Sequence, residues 1–325
     1  MKDLKLIALA VVITIEILII VKILYFDFSW SEKTFKYRCD KSEKLNDFYE
    51  SSPKYGLILK KGYTGFDYGT VCKYKPVRIH INKFGMRDYD NISMKKEKNE
   101  IRIAVVGDSI DFGLGVDFQY IYPKVLEKML NEKCKTKNKT FSVLDFAVPG
   151  YNLTQKIILI NDKAVKFSPD IIIIGYTTDD VLIDYGKINK EIGKELDELK
   201  KRGEISQYQI YQTTQDIIRK NMKNVDDLPP EIIYKIMYDE FKKTENISIP
   251  IIIFYRVTNS YNQLVALKNI SKTFNYTLIY GDTLTTLPIE MRVHPLDYHP
   301  NKKAHRLYAN ILFEILRNTY LSDYC

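Results

Sequence analysis

Two continuous apolar runs constrain the fold of this chain more than any other feature: Ile171-Ile172-Ile173-Ile174-Gly175-Tyr176 and Ile249-Pro250-Ile251-Ile252-Ile253-Phe254-Tyr255. Short β-branched runs without polar alternation are what strands buried on both faces require, and such strands belong to parallel sheets covered by helices on either side. Shorter runs at Ile101–Gly107, Phe141–Phe146 and Thr277–Tyr280 supply three more strands. Helical periodicity fills the intervals at Tyr122–Asn131, Leu153–Phe167, Glu231–Thr244, Ser260–Phe274 and Lys302–Asn318, so strand and helix alternate as in βαβ units. The expectation is an α/β domain over residues 101–325 with a central, mostly parallel five-stranded sheet. One connection is longer than a crossover needs. Its excess, about 184–230, is rich in Lys, Glu and Gln and reads as a helical insertion, either a solvated excursion or a lid or partner surface.

The domain has two kinds of chain ahead of it. Residues 30–100 mix Tyr, Gly and Lys and contain the alternating stretch Val77–Asn82, which predicts a β-rich leader ending in the charged linker 95–100. Residues 1–29 hold an almost wholly apolar run, Leu6 to Phe26, long enough for a transmembrane helix. Lys2 and Lys5 precede that run, and the bulky Tyr25–Trp30 stretch offers no small-residue cleavage site, so the reading is an uncleaved signal anchor. The expected placement is the cell membrane, single-pass, with the body extracytoplasmic. Sequons beginning at Asn91, Asn138, Asn152, Asn246, Asn269 and Asn275 fit that side only in a glycosylating host. Glu16, inside the run, is either a tolerated acid or faces a membrane partner helix.

Composition removes other classes. The net charge is +8, but acidic residues are interleaved with the basic ones throughout, as in Glu191, Glu195, Asp197 and Glu198, so no nucleic-acid partner is expected. Four cysteines, Cys39, Cys72, Cys134 and Cys325, form no CxxC pair and neighbour no histidine, so no metal site is expected. Cys39 and Cys72 share the leader and are either a disulfide or two free thiols.

Sites in open α/β sheets form outside the carboxyl ends of strands. Gly107-Asp108-Ser109-Ile110 follows the first strand, Ala147-Val148-Pro149-Gly150-Tyr151-Asn152 the second, and Thr177-Thr178-Asp179-Asp180 the third. Near the C-terminus stands Asp297-Tyr298-His299-Pro300-Asn301, with His305 in the following helix. A serine at a strand–helix turn commonly caps the helix; it becomes a nucleophile when a carboxylate-held histidine from another loop reaches it. Gly150, without a side chain, can bring its N–H close to a substrate. His294 and His305 read as structural, and His80 has no partner visible in the sequence.

In this order the blocks resemble the SGNH (GDSL-like) hydrolase superfamily over about residues 77–318, and Phe84-Gly85-Met86-Arg87-Asp88 resembles a leader found before the serine block in membrane-associated members. The resemblance implies a three-layer, flavodoxin-like sandwich. It implies Ser109 as nucleophile, His299 as base, Asp297 as the residue orienting it, and the Ser109 and Gly150 N–H groups as oxyanion donors, with no cofactor. The substrate would be an acyl ester on a glycan or lipid, processed by hydrolysis or by transfer alongside a membrane acyl-transfer partner. This chain differs from the pattern twice: Asp179 stands where the family's oxyanion Asn stands, and the acid–base spacing is Asp-x-His instead of Asp-x-x-His. The first difference sustains an alternative, a weakened module that binds glycans or a membrane partner.

Overall fold

The computed structural model describes residues 48–67, 75–134, 139–181, 198, 201–202, 228–256, 260–280, 287–295 and 297–325. The apolar run Leu6–Phe26, the Cys39–Cys72 pair and most of the 184–230 insertion lie outside them. Among the described residues, no helix is long and apolar enough to cross a membrane.

Two antiparallel hairpins open the described chain. They pair β1 (Tyr49–Ser52) with β2 (Gly56–Leu59) and β3 (Thr64–Asp67) with β4 (Val77–His80). The body then runs β5 (Glu100–Val106), α1 (Ser109–Phe112), α2 (Tyr122–Lys133), β6 (Thr140–Asp145), α3 (Leu153–Asp162) and β7 (Ile171–Tyr176). It continues through α4 (Pro230–Phe241), β8 (Ile251–Tyr255), α5 (Tyr261–Phe274), β9 (Thr277–Ile279), the hairpin β10 (Arg292–His294) and β11 (Asp297–Pro300), and α6 (Lys302–Asn318). The central sheet has five strands in the order β6-β5-β7-β8-β9, every neighbouring pair parallel.

The period of two along each strand divides the core. Ala104, Val106, Ile172, Ile174, Ile251 and Ile253 face a layer built with Ile157, Ile233, Met237 and Ile270, from α3, α4 and α5. Ile103, Val105, Ile171, Ile173, Ile252 and Phe254 face the other, with Leu126, Leu130, Tyr308 and Leu312 from α2 and α6. Both faces are covered, which is why the strands read as unbroken apolar runs. A disulfide joins Cys134, at the end of α2, to Cys325 beyond α6, the two helices packed on the same face. Sequence spacing gave no sign of that pairing, because the two cysteines meet only through the fold.

The helix expected over Leu153–Phe167 is interrupted. It ends at Asp162, and Ala164–Phe167 forms a 3-10 turn closed by Ser168 at φ 51°. Pro169 follows, and a residue before proline is pushed out of the right-handed helical region. The leader is tied into the body. Tyr151 Oη donates to Leu57 O (2.7 Å), Gln155 Nε2 to Tyr55 O (2.6 Å) and Gly115 N to the Asp67 carboxylate (3.0 Å).

Candidate active site

The turn after β5 is fixed before any catalytic partner is considered. Asp108 caps α1: its Oδ1 accepts from Ile110 N (2.8 Å), while Asp111 Oδ2 accepts from Asp108 N (3.0 Å). The cap is therefore Asp108, and Ser109 sits at the first helical position with its hydroxyl left for another use. Gly113 ends the helix at φ 77°, a left-handed conformation that favours glycine. From the leader, the buried Arg87 grips this end, donating from Nη1 to Phe112 O (2.7 Å) and Gly113 O (2.8 Å) and from Nη2 to Val116 O (2.7 Å). Its neighbour Asp88 accepts from Asp145 N (3.0 Å) and pairs with the buried Lys124 (2.7 Å). The Phe84–Asp88 motif thus braces both the first and second strand ends.

The second loop of the site comes from β11. Within that strand Asp297 is buried and His299 half-buried. Asn301 anchors the strand end, donating to Glu290 O and Arg292 O (both 2.9 Å) and capping α6 through Lys303 N (2.9 Å). His299 Nδ1 lies 2.6 Å from Asp297 Oδ1, and His299 Nε2 lies 2.9 Å from Ser109 Oγ. The same Asp297 oxygen accepts from the His299 backbone N–H (3.0 Å), so the tight Asp-x-His spacing is compatible with side-chain orientation of the ring. An ionised carboxylate only accepts, so Nδ1 carries the proton and Nε2 presents its lone pair to the serine hydroxyl.

The first and second loops are joined by Val148 N donating to Gly107 O (3.1 Å), and Gly150 follows at φ 85°. Among the described residues, neither the Ser109 nor the Gly150 backbone N–H donates to a protein group. They are the candidate oxyanion donors. Asp179 is exposed on the 3-10 turn Thr178–Asp180 after β7.

Directly beneath lies a charged network that motif reading did not identify. The buried Lys156 donates to Asp108 Oδ2 (2.8 Å), Asp180 Oδ1 (2.5 Å) and Gly175 O (2.8 Å). Asp180 Oδ2 accepts from Thr177 N (2.8 Å), which ties the third loop to the first through a single ammonium. Asp111, also buried, accepts from Tyr122 Oη (2.5 Å) and Arg256 Nη2 (2.8 Å). Gly107 and Gly175 flank that carboxylate so closely that a Cβ on either would overlap it. Burial disfavours ionisation of Asp108, but Lys156 and Arg256 outweigh it and hold its carboxyl below the usual range. For Asp180 burial dominates: helped by the Asp108 charge and only partly offset by Lys156, it pushes the carboxyl up to about 7.

The remaining histidines sort by surroundings. His305 is buried, accepts at Nδ1 from Tyr122 N (3.0 Å), and is driven down to about 3 by burial and by the nearby charges of Arg256 and Arg87. His80 does have partners, Thr64 Oγ1 (2.9 Å) and Asp90 Oδ1 (3.0 Å), both brought to it by the fold.

No family model matches the chain, and no curated protein matches it. Among solved structures it is similar to a two-domain esterase active on acetylated mannans, co-crystallised with mannopentaose (13% identity over 67% of this chain and 49% of that one, TM-score 0.43). It is also similar to the psychrotrophic esterase EstA from Pseudoalteromonas sp. (11% identity over 67% of this chain and 97% of that one, TM-score 0.43). A third is the lipase/acylhydrolase from Enterococcus faecalis (11% identity, 67% and 96%, TM-score 0.42). The chain spans about half the length of the two-domain esterase.

Proposed function

We propose that this chain is a serine esterase of the SGNH type. The observation that carries the reading is the unbroken chain from Ser109 Oγ through His299 to Asp297, at 2.9 and 2.6 Å, assembled from loops far apart in sequence. In the reaction Ser109 Oγ attacks the ester carbonyl while Nε2 of His299 takes its proton. Asp297 stabilises the imidazolium, and the Ser109 and Gly150 N–H groups receive the oxyanion. His299 then returns the proton to the leaving alcohol, and the acyl group passes from Ser109 to water or to an acceptor hydroxyl.

The finer reading places this chemistry outside the cytoplasm, on acyl esters of cell-surface glycans or lipids, held to the membrane by the Leu6–Phe26 run and acting by hydrolysis or transfer. The apolar run and the chain's resemblance to anchored members support it. Turnover of p-nitrophenyl acetate by the full chain tests the esterase core; product analysis with an added sugar acceptor separates transfer from hydrolysis.

A second reading, a weakened binding module, draws on the exposed Asp179 carboxylate on the third loop. Asp179→Asn distinguishes them: a rise in turnover marks a working site short of one oxyanion donor, and no activity in either form favours the binding module.

A further inference from the structure

A cavity of about 300 Å³, lined by neither Ser109 nor His299, lies between the leader and the chain that follows α1. Its wall comes from Arg78 and His80 on β4, from the Asp88-Tyr89-Asp90 stretch, and from Asp117, Phe118 and Gln119. That volume is at the lower end of small-molecule sites. The proposed reaction uses none of these residues.

Several of the cavity's groups are held before any ligand arrives. His80 is fixed at both ring nitrogens, by Thr64 Oγ1 (2.9 Å) and by Asp90 Oδ1 (3.0 Å), which also orients the carboxylate. Asp88 is buried and pinned by Lys124 and Asp145 N. The Tyr89 and Phe118 rings meet edge to face with centroids 5.0 Å apart, and Lys124 Nζ lies 5.1 and 5.8 Å from them. His80, Asp88 and the two rings therefore need little further ordering when a ligand binds.

The chemistry of the lining selects a ligand class. Asp88 is taken up by the buried Lys124, which it shares with Glu127 (3.2 Å), so the groups left to meet a ligand are the Asp90 and Asp117 carboxylates, Arg78 and Gln119, with a surplus of carboxylate that disfavours anions. An aromatic pair with carboxylate would suit a quaternary ammonium, but here a lysine already occupies the neighbourhood of both rings. What remains is a neutral, polyhydroxylated ring. Its apolar face can lie against Tyr89 and Phe118 while Asp90 and Asp117 accept from its hydroxyls and Arg78 and Gln119 donate to them.

One contact links the chain beside the cavity to the helix that follows the candidate base. Next to Gln119, Tyr120 carries Lys302 Nζ over its ring at 5.7 Å, and Lys302 begins α6 three residues after His299. We infer that this cavity is a carbohydrate-binding site, holding a neutral sugar unit of the glycan whose ester is presented to Ser109. The inference rests on the esterase reading for its second half only; the binding of sugar does not depend on it.

Calorimetric titration of the full-length protein with cellopentaose, chitopentaose and choline chloride tests the assignment, with Ser109→Ala, Phe118→Ala and Asp117→Ala as variants. The expected result is binding of at least one pentasaccharide, undiminished in Ser109→Ala and weakened about tenfold or more in Phe118→Ala, the loss of one aromatic platform. Asp117 is exposed, so Asp117→Ala tests the site by a change that spares the core, and it too should weaken binding. Absence of pentasaccharide binding in the wild type, undiminished binding in both Phe118→Ala and Asp117→Ala, or a preference for choline would overturn it. Turnover of p-nitrophenyl acetate in the same wild-type preparation keeps the two failures apart: sugar binding without turnover defeats the esterase reading, and turnover without sugar binding defeats this site.

Discussion

Adjacent residues of one short turn serve two charge systems of opposite character. Ser109 meets the half-buried His299 at the rim, where a proton can be handed to a substrate and returned. Asp108 and Asp111 point inward to Lys156 and Arg256, whose side chains are wholly removed from solvent. In the proposed reaction the rim system depends on groups that change protonation. The buried system depends on groups whose partners hold the loops after β5 and β7 in one arrangement. Labour is thus divided within the turn: the proposed chemistry occupies its exposed end, and the buried end holds the loops in place.

Four perturbations should separate the two systems. The largest effect belongs to the rim. Ser109→Ala should lower kcat/KM for p-nitrophenyl acetate by about 10⁴-fold or more, with an unchanged thermal midpoint. Asp297→Asn should keep the fold yet cost roughly 10³–10⁴ in kcat, because an amide favours the wrong imidazole tautomer; stopped-flow or steady-state rates on the same ester measure it.

The buried system should answer in stability. Lys156→Met leaves the Asp108 and Asp180 carboxylates buried without their shared cation, and urea unfolding should report a loss of about 3–5 kcal/mol. Equal stability in this variant would mean the network positions nothing.

The subtlest contrast is in pH. Asp180 titrates near 7 folded and near its ordinary 3.8 unfolded, so between those values the folded chain holds a proton that the unfolded chain has lost. Stability from this group is therefore greatest at low pH and falls as pH rises from about 4 to 7, by up to about 1.4 kcal/mol per pH unit. His305 works in the opposite sense: folded it stays neutral down to about 3, so across about 3 to 6.5 the unfolded state binds the extra proton and stability rises with pH. The two contributions oppose each other between about pH 4 and 6.5. Asp180→Asn removes the falling one, so the slope of stability with pH should become more positive than in the wild type, read from urea midpoints between pH 4 and 6.5.

The same contrast describes what could be read from sequence. Strands were legible because Ile171–Tyr176 and Ile251–Tyr255 need no partner to declare burial on both faces. Ser109, His299, Asp297 and Gly150 stood out because rim residues fall in short blocks at strand ends, and the structure brings the first three into one hydrogen-bonded chain. Lys156 and Arg256 did not. A lysine in the helical pattern of Leu153–Phe167 looks like any solvated helix residue, and only the packing of α3 under the first loop turns it inward. The Cys134–Cys325 disulfide and the partners of His80 were hidden for the same reason, since both depend on contacts between elements distant in sequence.

The most direct test of the central claim is labelling of the intact chain with a fluorophosphonate, followed by peptide mass spectrometry, beside Ser109→Ala and His299→Ala. The reagent reports an activated serine whatever the natural substrate. The account predicts a single adduct on Ser109 that is lost in both variants. An unlabelled but folded wild type, or labelling of Ser109 that persists in His299→Ala, would contradict it.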